Sequence, residues 1–573
     1  MWWLTASILF TSCSVPKDTA IFYERARQFA ALRGIWMLKS FQRELEEIYP
    51  SCCSFIEQNA WVQIMALCSE VSDPNSLPDK LLLHSGELGL PGFLPELARM
   101  ELAFHKVSTG KLERPEELDQ HTINPTLQLL QLSWKNLYLV LNQGDKSSSG
   151  KPEPGEEYVI VWQNPRTKET EVQKASEEDI LSLKMIVEGI TPEEVADAGN
   201  LPVGAVDAAI DRAVRKGLVF APHSLIRRDP LCFPGCENTE ERFLASPSFA
   251  LQWHITQACD LHCKHCYDRS SRSSLKLDKA FGILDDMRAF CRSRNVKGHV
   301  TLTGGNPLLY PHFLEIYQGA SDRGFNIAIL GNPASRKQIE EILDIKRPTF
   351  FQVSLEGLQK HNDTIRGAGH FERVIDFLHA LRDLKVKSMV MLTLTKDNID
   401  QVLPLAEMLR DLTDDFSFNR LSMVGEGANL QLPSRDEYIS FIEEYVKAAE
   451  NNPIMDLKDN LIGIMLHNKG DRQFGGCAGF GCGAAFNFIA VLPDGQAHAC
   501  RKFPSLIGNV FKQSIEEIYE SDIAQRYRMG CKACQPCILR PVCGGCLAIA
   551  HSHGLDIFED KDPYCFMNTS KRQ

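Results

Sequence analysis

The sequence has little that would hold it to a membrane or to nucleic acid. Beyond its first residues, no apolar run approaches the roughly 20 residues that cross a bilayer. The chain of 573 residues carries 62 Lys and Arg against 74 Asp and Glu, so its formal net charge is −12. Nucleic acids and anionic membrane surfaces attract proteins that have a basic face. The composition therefore argues against both partners and favours peptides or small molecules.

The amino-terminal residues lack the features of a secretion signal. Met1–Cys13 reads MWWLTASILFTSC, and no Lys or Arg precedes its apolar stretch. The stretch is also too short to span a bilayer. A misplaced start codon or a loosely packed terminal segment explains it better than a lipoprotein signal does. We therefore expect a cytoplasmic protein.

Cysteine is abundant and unevenly placed. Of 19 cysteines, three fall in Cys259–Cys266 and nine fall between Cys477 and Cys565. Disulfide scaffolds are usually short and secreted, whereas this long chain reads largely as helices and strands. Clustered CxxC spacing in such a chain indicates metal sites in a reducing compartment. The length itself predicts two to four domains.

The first quarter of the chain is predicted to be mainly helical. Within residues 18–143, apolar residues recur three and four apart in Ile21–Trp36 and Pro95–Phe104. Residues 144–157 are rich in Ser, Gly, Pro and charge, which is typical of a linker. We expect a helical amino-terminal domain followed by that linker.

Residues 158–222 are predicted to form a hairpin followed by helices. Tyr158–Trp162 and Glu169–Gln173 read as strands, Val203–Lys216 as the last helix, and Leu218–Phe220 as a wing strand. The unit resembles the peptide-recognition element of many peptide-modifying enzymes, in which a leader peptide adds a strand to the hairpin edge. A DNA-binding winged helix has the same pattern, but the acidic helices of this segment count against it.

Strands and helices alternate over residues 249–425. Helical stretches such as Asp278–Ser293 and His370–Leu384 separate the strands, which implies a parallel sheet with right-handed crossovers. We expect an α/β fold, a partial (β/α)6 barrel similar to a shortened TIM barrel, with active groups at the carboxyl ends of its strands. A helical connector over residues 433–470 follows. The candidate strands are Ala250–Ile255, His299–Thr303, Asn326–Leu330, Phe350–Ser354, Met389–Leu394 and Ser417–Ser422.

The loop after the first of these strands carries a cluster motif. Cys259, Cys263 and Cys266 hold the spacing CxxxCxxC. Three thiolates bind three irons of a [4Fe–4S] cluster and leave the fourth iron open for a cofactor or substrate. Zinc is the alternative, because His262 or His265 would supply its fourth ligand.

The motif CxxxCxHC, with Gly304-Gly305 ending the second strand, resembles the radical S-adenosylmethionine superfamily. In that family the open iron binds S-adenosylmethionine, and reductive cleavage yields a 5′-deoxyadenosyl radical, while the protein positions the cofactor. Asn306 stands where the family usually has Glu, and Glu356 stands where it has Asp. The cofactor contacts that the resemblance implies are His265, Gly304, Gly305, Asn306, Ser354, Glu356 and Arg420.

The resemblance implies a role for five of these contacts. His265 takes the place beside the adenine, Ser354 reaches the ribose, and the two glycines admit the methionyl amine. Arg420 is suited to the methionyl carboxylate, although a surface salt bridge is an equal alternative. Arg366 is a candidate contact for substrate or for a helix end.

The cysteines of residues 475–568 resemble the SPASM domain, which binds two further [4Fe–4S] clusters. The resemblance assigns one cluster to Cys477, Cys482, Cys500 and Cys546, and the other to Cys534, Cys537, Cys543 and Cys565. Two residues separate Cys543 from Cys546, where three are common in the family, and Cys531 is an extra cysteine. Both departures bear on this partition. Two zinc sites are the alternative use of the same thiols.

The combined features predict an enzyme that modifies a ribosomally synthesised peptide with a leader. Its cofactors are three [4Fe–4S] clusters and S-adenosylmethionine, and its electron donor is of the flavodoxin or ferredoxin type. The sequence is similar to selenobiotic-family maturases, which implies a thiooxazole- or selenooxazole-type ring at Cys or selenocysteine. The alternatives are a thioether-forming sactionine-type enzyme, a formylglycine-forming maturase, and a non-catalytic iron–sulfur or zinc regulator. Arg501 follows Cys500 where formylglycine-forming enzymes tend to have an acid.

Overall fold

The computed structural model describes residues 41–57, 63–64, 73–113, 115, 118–142, 151–235, 239–471 and 473–567. The expectations for Met1–Cys13 and for a helix over Ile21–Trp36 lie outside these residues. The chain divides into two compact units, one comprising residues 1–191 and 209–221 and the other residues 192–208 and 222–573. Within the described ranges, no helix is both long and apolar enough to cross a membrane.

The first unit is built on a three-stranded antiparallel sheet in the order β2-β3-β4. Side chains on successive residues of a strand leave on opposite faces. Val159 and Val161 enter one apolar core, and Ile160 and Trp162 enter another, so both faces of the sheet are covered. The strands are β2 (Gln128–Lys135), β3 (Glu153–Gln163) and β4 (Thr170–Lys174).

Helices precede this sheet, as the apolar periodicity predicts, but the helical expectation for residues 18–143 is only partly right. The strands β1 (Thr122–Ile123) and β2 also lie in that range. The helices are α1 (Pro50–Phe55), α2 (Leu77–His84), α3 (Leu94–Thr109) and α4 (Leu137–Asn142).

Residues 153–157, expected in the linker, belong instead to β3. The Pro and Gly of this tract are typical of a linker, yet Glu153 pairs with Lys135, and Pro154 with Trp134, across the sheet. The Glu157 carboxylate is buried and accepts a hydrogen bond from the Asn136 N–H at 2.9 Å. Tertiary pairing therefore overrides the local composition.

The predicted helices after the hairpin form. Ser176 and Asp179 make a reciprocal capping box at the start of the first, which ends at Gly189 in the left-handed conformation. The expected wing strand also forms, as β5 (Val219–Phe220), but its partner is β1 rather than the hairpin. The helices are α5 (Glu177–Glu188), α6 (Pro192–Gly199) and α7 (Val203–Lys216).

The second unit contains a nine-stranded sheet in the order β11-β10-β9-β8-β7-β6-β12-β13-β14. Its first six strands run parallel and neighbour one another in chain order. This confirms the expected open six-stranded barrel and brings all the carboxyl strand ends to one edge. These strands are β6 (Ser248–Thr256), β7 (Lys297–Gly304), β8 (Asn326–Leu330), β9 (Phe351–Ser354), β10 (Ser388–Leu394) and β11 (Asp415–Arg420).

Helices cover the barrel sheet. Phe249, Leu251 and Trp253 of β6 are fully buried against them, and each such side chain stabilises the fold by about 1.5–3 kcal/mol. The helices are α8 (Leu277–Ser293), α9 (Phe313–Asp322), α10 (Arg336–Ile345), α11 (Gln359–Arg366), α12 (His370–Asp383), α13 (Val402–Met408), α14 (Arg435–Ala449), α15 (Ile462–Lys469), α16 (Ile515–Glu520), α17 (Asp522–Met529) and α18 (Leu547–Ser552).

The Cys-rich region extends the barrel sheet itself. Strand β12 pairs in parallel with β6 over Phe488–Val491, and an antiparallel hairpin turn at Gly495 leads to β13. Gly495 takes a φ of 82° and donates its N–H to the Leu492 carbonyl, which closes the tight turn between the two strands. The carboxyl-terminal cysteines thereby lie next to the barrel. The strands are β12 (Phe488–Val491), β13 (Gln496–His498) and β14 (Leu506–Asn509).

Candidate active site

The loop after β6 carries the predicted cluster thiols. Backbone hydrogen bonds hold this loop against neighbouring segments. The Lys264 N–H donates to the Ile365 carbonyl of α11 at 3.0 Å, and the Glu426 N–H donates to the Cys266 carbonyl at 2.9 Å. A loop fixed at both points presents its thiols in a defined arrangement. The three thiols are Cys259, Cys263 and Cys266.

The three thiols open on a cavity of about 480 Å³ at the carboxyl ends of the parallel strands. Asn306 and Glu356 are buried and are not among the residues that line it. The predicted cofactor residues that do line it are His265, Gly304, Gly305, Ser354 and Arg420.

Gly304 and Gly305 are required by the chain itself. A Cβ on Gly304, whose φ is 147°, would lie 2.2 Å from the Thr256 carbonyl oxygen. A Cβ on Gly305 would lie 2.3 Å from the Ala258 carbonyl oxygen. The sequence resemblance explained these glycines by the approach of the cofactor's methionyl amine. The structure adds a second reason, because the end of β7 lies too close to the start of the cluster loop to admit a Cβ.

Asn306 and Asn332 share hydrogen bonds with Asp260, which lies in the loop that carries the three thiols. Its Nδ2 donates to Asp260 Oδ1 at 3.0 Å, and Asn332 Nδ2 donates to the same oxygen at 2.6 Å. The Asn306 Oδ1 accepts from the Leu308 N–H at 3.3 Å. The side-chain carbonyl of Asn306 thus caps the turn that follows β7. Asn332, which sequence reasoning missed, lines the cavity and also lies 3.7 Å from the Cys259 Sγ.

Glu356, one of the predicted cofactor contacts, forms a buried ion pair with Arg366. Arg366 donates to Glu356 Oε1 from Nη2 at 2.6 Å and from Nε at 2.9 Å. The Glu356 Oε2 accepts from the Thr393 N–H at 2.8 Å. Burial opposes the charge of this carboxylate, but His265 and Arg366 hold its pKa below the ordinary value. Both carboxylate oxygens are therefore engaged by the protein.

Arg366 also reaches the cluster loop. Its Nη1 lies 3.6 Å from the Cys263 Sγ, and its Nη2 lies 3.4 Å from His265 Nε2. Burial raises the pKa of the Cys263 thiol, and the Arg366 guanidinium opposes that rise. Burial lowers the pKa of His265 to about 4, so its ring is neutral at neutral pH.

Arg420, the predicted contact of the methionyl carboxylate, lines the cavity and is engaged by two protein carboxylates. The Arg420 guanidinium is buried and binds Asp562 in a fork at 3.1 and 2.6 Å. Its Nε donates to Asp459 at 2.8 Å. The alternative, a salt bridge at the surface, is wrong about the location, because the pair with Asp562 leaves each side chain 1% exposed. Asp562 lies 142 residues further along the chain, and no local sequence pattern indicates that contact.

The first predicted set of auxiliary thiols converges in the structure. Burial raises the pKa of the Cys482 thiol to about 12, and the nearby Cys546, Cys500 and Cys477 thiols act in the same direction. Arg228, which sequence reasoning missed, anchors this loop by donating to the Cys482 carbonyl at 2.7 Å. The assignment of these four thiols to one cluster stays a prediction.

The second set lines a separate small cavity. Burial raises the pKa of Cys543, and the Cys537 and Cys565 thiols add to that rise. Cys531 instead faces a different small cavity, together with Cys534. The hydrogen bond between these two side chains lowers the pKa of Cys531 to about 7. The thiols of the second cavity are Cys534, Cys537, Cys543 and Cys565.

These thiol sets suit clusters by their chemistry. Each thiolate of a [4Fe–4S] cluster binds a different iron, and sets of three and four thiols are the ones such clusters use. In the part of the chain that the structure describes, no three His, Cys, Asp or Glu side chains meet closely enough to bind a single metal ion.

Comparison with known proteins identifies two domains. Residues 253–409 match the radical SAM superfamily, and residues 482–546 match the SPASM iron–sulfur cluster-binding domain. The AdoMet-dependent heme synthase of Methanosarcina barkeri is 25% identical over 350 residues, 56% of this chain and 97% of that protein. The antilisterial bacteriocin subtilosin biosynthesis protein AlbA of Bacillus subtilis is 26% identical over 319 residues, 51% of this chain and 66% of that protein.

Among solved structures, Streptococcus suis SuiB bound to its precursor peptide SuiA is similar at 15% identity with a TM-score of 0.48. The similarity covers 72% of this chain and 96% of SuiB. The domain matches show that the chain has a radical SAM fold with a carboxyl-terminal SPASM domain, and that it is an enzyme. Its cofactors are [4Fe–4S] clusters and S-adenosylmethionine.

Proposed function

We propose that this enzyme oxidatively modifies a ribosomally synthesised peptide at a Cys or selenocysteine and forms a thiooxazole- or selenooxazole-type ring. The observation that carries the proposal is one shared cavity. The radical-SAM thiols line it together with Arg501 and Lys502, which directly follow the auxiliary thiol Cys500. A peptide in that cavity would lie between the radical-generating cluster of the barrel and the auxiliary cluster bound through Cys500, which is able to accept electrons.

We assign the metal ligands by thiol set. Cys259, Cys263 and Cys266 would hold the cluster with the open iron, as the donor chemistry requires. Reductive cleavage of S-adenosylmethionine bound there supplies a radical that abstracts a hydrogen atom. The two auxiliary sets would each hold a fully ligated cluster. They are Cys477, Cys482, Cys500 and Cys546, and Cys534, Cys537, Cys543 and Cys565.

The residues of this chain would position and enclose the reactants. His265 and Ser354 line the cavity beside the thiols and would contact the adenosyl part of the cofactor. Because the pKa of His265 is near 4, its ring would contact that part without adding charge. The peptide backbone of Gly305 donates its N–H to the Thr256 carbonyl at 2.9 Å, which keeps this wall of the cavity rigid.

The hairpin of β3 and β4 with helices α5 and α7 would bind the leader of the precursor. Support comes from the sheet and helix arrangement, which has the parts that strand addition needs. AlbA takes part in the biosynthesis of a bacteriocin, and SuiB binds a precursor peptide, so a peptide substrate agrees with both similarities. The acidic composition supports a partner other than nucleic acid.

The test uses the anaerobic, cluster-loaded enzyme with S-adenosylmethionine, a reductant and short Cys- and Gly-rich peptides encoded beside its gene. Ring formation predicts the loss of four or more hydrogens from the peptide by mass spectrometry. A loss of two hydrogens would favour the thioether alternative. Formylglycine would indicate the third enzyme class, for which the acid is replaced by Arg501 in this chain. Cys53→Ala, which changes a thiol outside every set, is the matched control.

The electron donor and compartment complete the proposal. A flavodoxin or ferredoxin would deliver the single electron, and the reducing cytoplasm would keep the thiols available for cluster assembly. Replacing dithionite with purified flavodoxin and its reductase tests the donor. Sustained formation of 5′-deoxyadenosine supports it, and formation only with dithionite contradicts it.

A further inference from the structure

A buried ion pair lies directly beside one thiol of the radical-SAM loop. Arg366 is the last residue of α11, and its guanidinium is shared between the Glu356 carboxylate and the Cys263 Sγ, at 2.6 and 3.6 Å. Both charged side chains are strongly buried, at 10% and 2% exposure. Because the guanidinium is buried, water screens its charge little, and the charge interacts strongly with the Cys263 sulfur.

The carboxylate that balances this charge is fixed from several elements. Its second oxygen accepts from the Thr393 N–H of β10, as described above. The Glu356 N–H donates to Asn362 Oδ1 at 3.1 Å, and the Glu356 carbonyl accepts from Asn398 Nδ2 at 3.0 Å. The backbone of Glu356 is therefore fixed, and its carboxylate cannot leave Arg366 without losing its hydrogen bond to Thr393.

The helix that carries Arg366 is also tied to the cluster loop. Ile365, its neighbour, accepts the Lys264 N–H through its carbonyl. At the same end of the helix, Asp363 accepts the Gly369 and Phe371 N–H groups, at 2.8 and 2.9 Å, which fixes the turn after the helix. The guanidinium is thus held at a set position relative to the Cys263 sulfur.

We propose that Arg366 is a positioning residue that raises the reduction potential of the open cluster, and that Glu356 limits how much of its positive charge the cluster senses. The proposal rests on the assignment of Cys263 as a ligand of that cluster. Hydrogen bonds to cluster sulfurs and nearby net charge both set the potential of an iron–sulfur cluster. A cationic donor favours the reduced state, which carries one more negative charge.

The pair gives a test based on sign. Arg366→Met removes the donor and the positive charge, so the reduction equilibrium constant should fall at least tenfold, which is about 59 mV for a one-electron couple. Glu356→Gln keeps a side chain of the same shape but removes the negative charge, so the potential should rise. A purely structural pair would not shift the potential in opposite directions.

Arg269→Met is the matched control. Arg269 also contacts Cys263, but through the backbone carbonyl at 3.1 Å and from an exposed position where water screens its charge. We expect its replacement to shift the potential less than that of Arg366. If Arg366→Met does not retain iron, Arg366→Lys keeps the charge without the planar fork and should give a smaller fall.

The measurement is a redox titration of the cluster-loaded enzyme followed by electron paramagnetic resonance, using the signal that changes when S-adenosylmethionine is added. Opposite shifts in the Arg366 and Glu356 variants support the proposal. Shifts of the same sign, or shifts no larger than that of Arg269→Met, overturn it. Absence of any signal that responds to S-adenosylmethionine in the unmodified enzyme would instead contradict the proposed function.

Discussion

The pair of Arg420 and Asp562 offers the sharpest test of how the two iron–sulfur regions are held together. Asp562 accepts the Arg420 fork at 2.6 and 3.1 Å, and it also accepts the Cys546 N–H at 3.0 Å. Asp562→Ala leaves a buried guanidinium with Asp459 alone, while Asp459→Ala would leave the fork intact. Removing one partner of a buried pair costs about 3–5 kcal/mol.

We therefore expect Asp562→Ala to lower the free energy of unfolding by about 3–5 kcal/mol. The matched control is Glu559→Ala, which removes the exposed pair of Glu559 with Lys532 at 2.6 Å and should cost about 1 kcal/mol or less. Anaerobic urea unfolding followed by circular dichroism measures both. Iron should also be lost from the first auxiliary set, because the backbone of Cys546 loses its anchor.

An Asp562→Ala variant as stable as Glu559→Ala would refute this reasoning. It would mean that the buried charge is relieved in some other way, for example by water reaching Arg420. Retention of full iron together with a loss of stability would separate the two effects. The backbone anchor of Cys546 would then contribute nothing to cluster binding.

Three further predictions concern other parts of the site. Gly305→Ala should lower the iron content of the open cluster, because its Cβ would lie 2.3 Å from a carbonyl oxygen. The control Gly282→Ala has open space around its Cβ and should stabilise its helix by up to about 1 kcal/mol. Iron content and thermal unfolding measure both. Cys531→Ala should keep about twelve irons per chain by colorimetric assay, four per cluster. Burial lowers the pKa of His254 to about 3, so stability should fall by about 2 kcal/mol between pH 7 and pH 5, and His254→Gln should flatten that slope in urea titrations.

The sign of the pH prediction follows from proton uptake. Unfolded His254 has a pKa of about 6.5 and binds a proton as the pH falls, whereas the folded side chain stays neutral down to about pH 3. Equal slopes in the two proteins would contradict it. A loss of about four irons from Cys531→Ala would make Cys531 a ligand, and normal iron in Gly305→Ala would contradict the steric argument.

The sequence predicted the architecture well where local patterns carry the signal. Short buried runs such as Asn326–Leu330 are strands with the expected bounds, because a short apolar run between a turn and a helix is typical of a buried strand. The spacing of Cys259, Cys263 and Cys266 predicted an open cluster after the first strand, and the three thiols line the cavity there. Both features depend on residues that are close in the chain.

Features that depend on distant residues were missed. Arg420 and Asp562 are 142 positions apart, and strand β3 forms from Gly- and Pro-containing residues only because β2 pairs with it. The ion pair of Glu356 and Arg366 spans only ten positions, so the local sequence pattern indicates it. An acid that ends one strand and an Arg that ends the next helix meet at the same edge of the sheet.

The central claim is that Cys259, Cys263 and Cys266 hold the cluster that cleaves S-adenosylmethionine. The direct measurement is 5′-deoxyadenosine formed by the anaerobic enzyme with reductant, compared with a variant in which all three cysteines are Ala. We expect formation in the unmodified enzyme and in Cys53→Ala, and a loss to background in the triple variant. Equal formation with and without the three thiols, or none in the unmodified enzyme loaded with iron and sulfide, would contradict the claim.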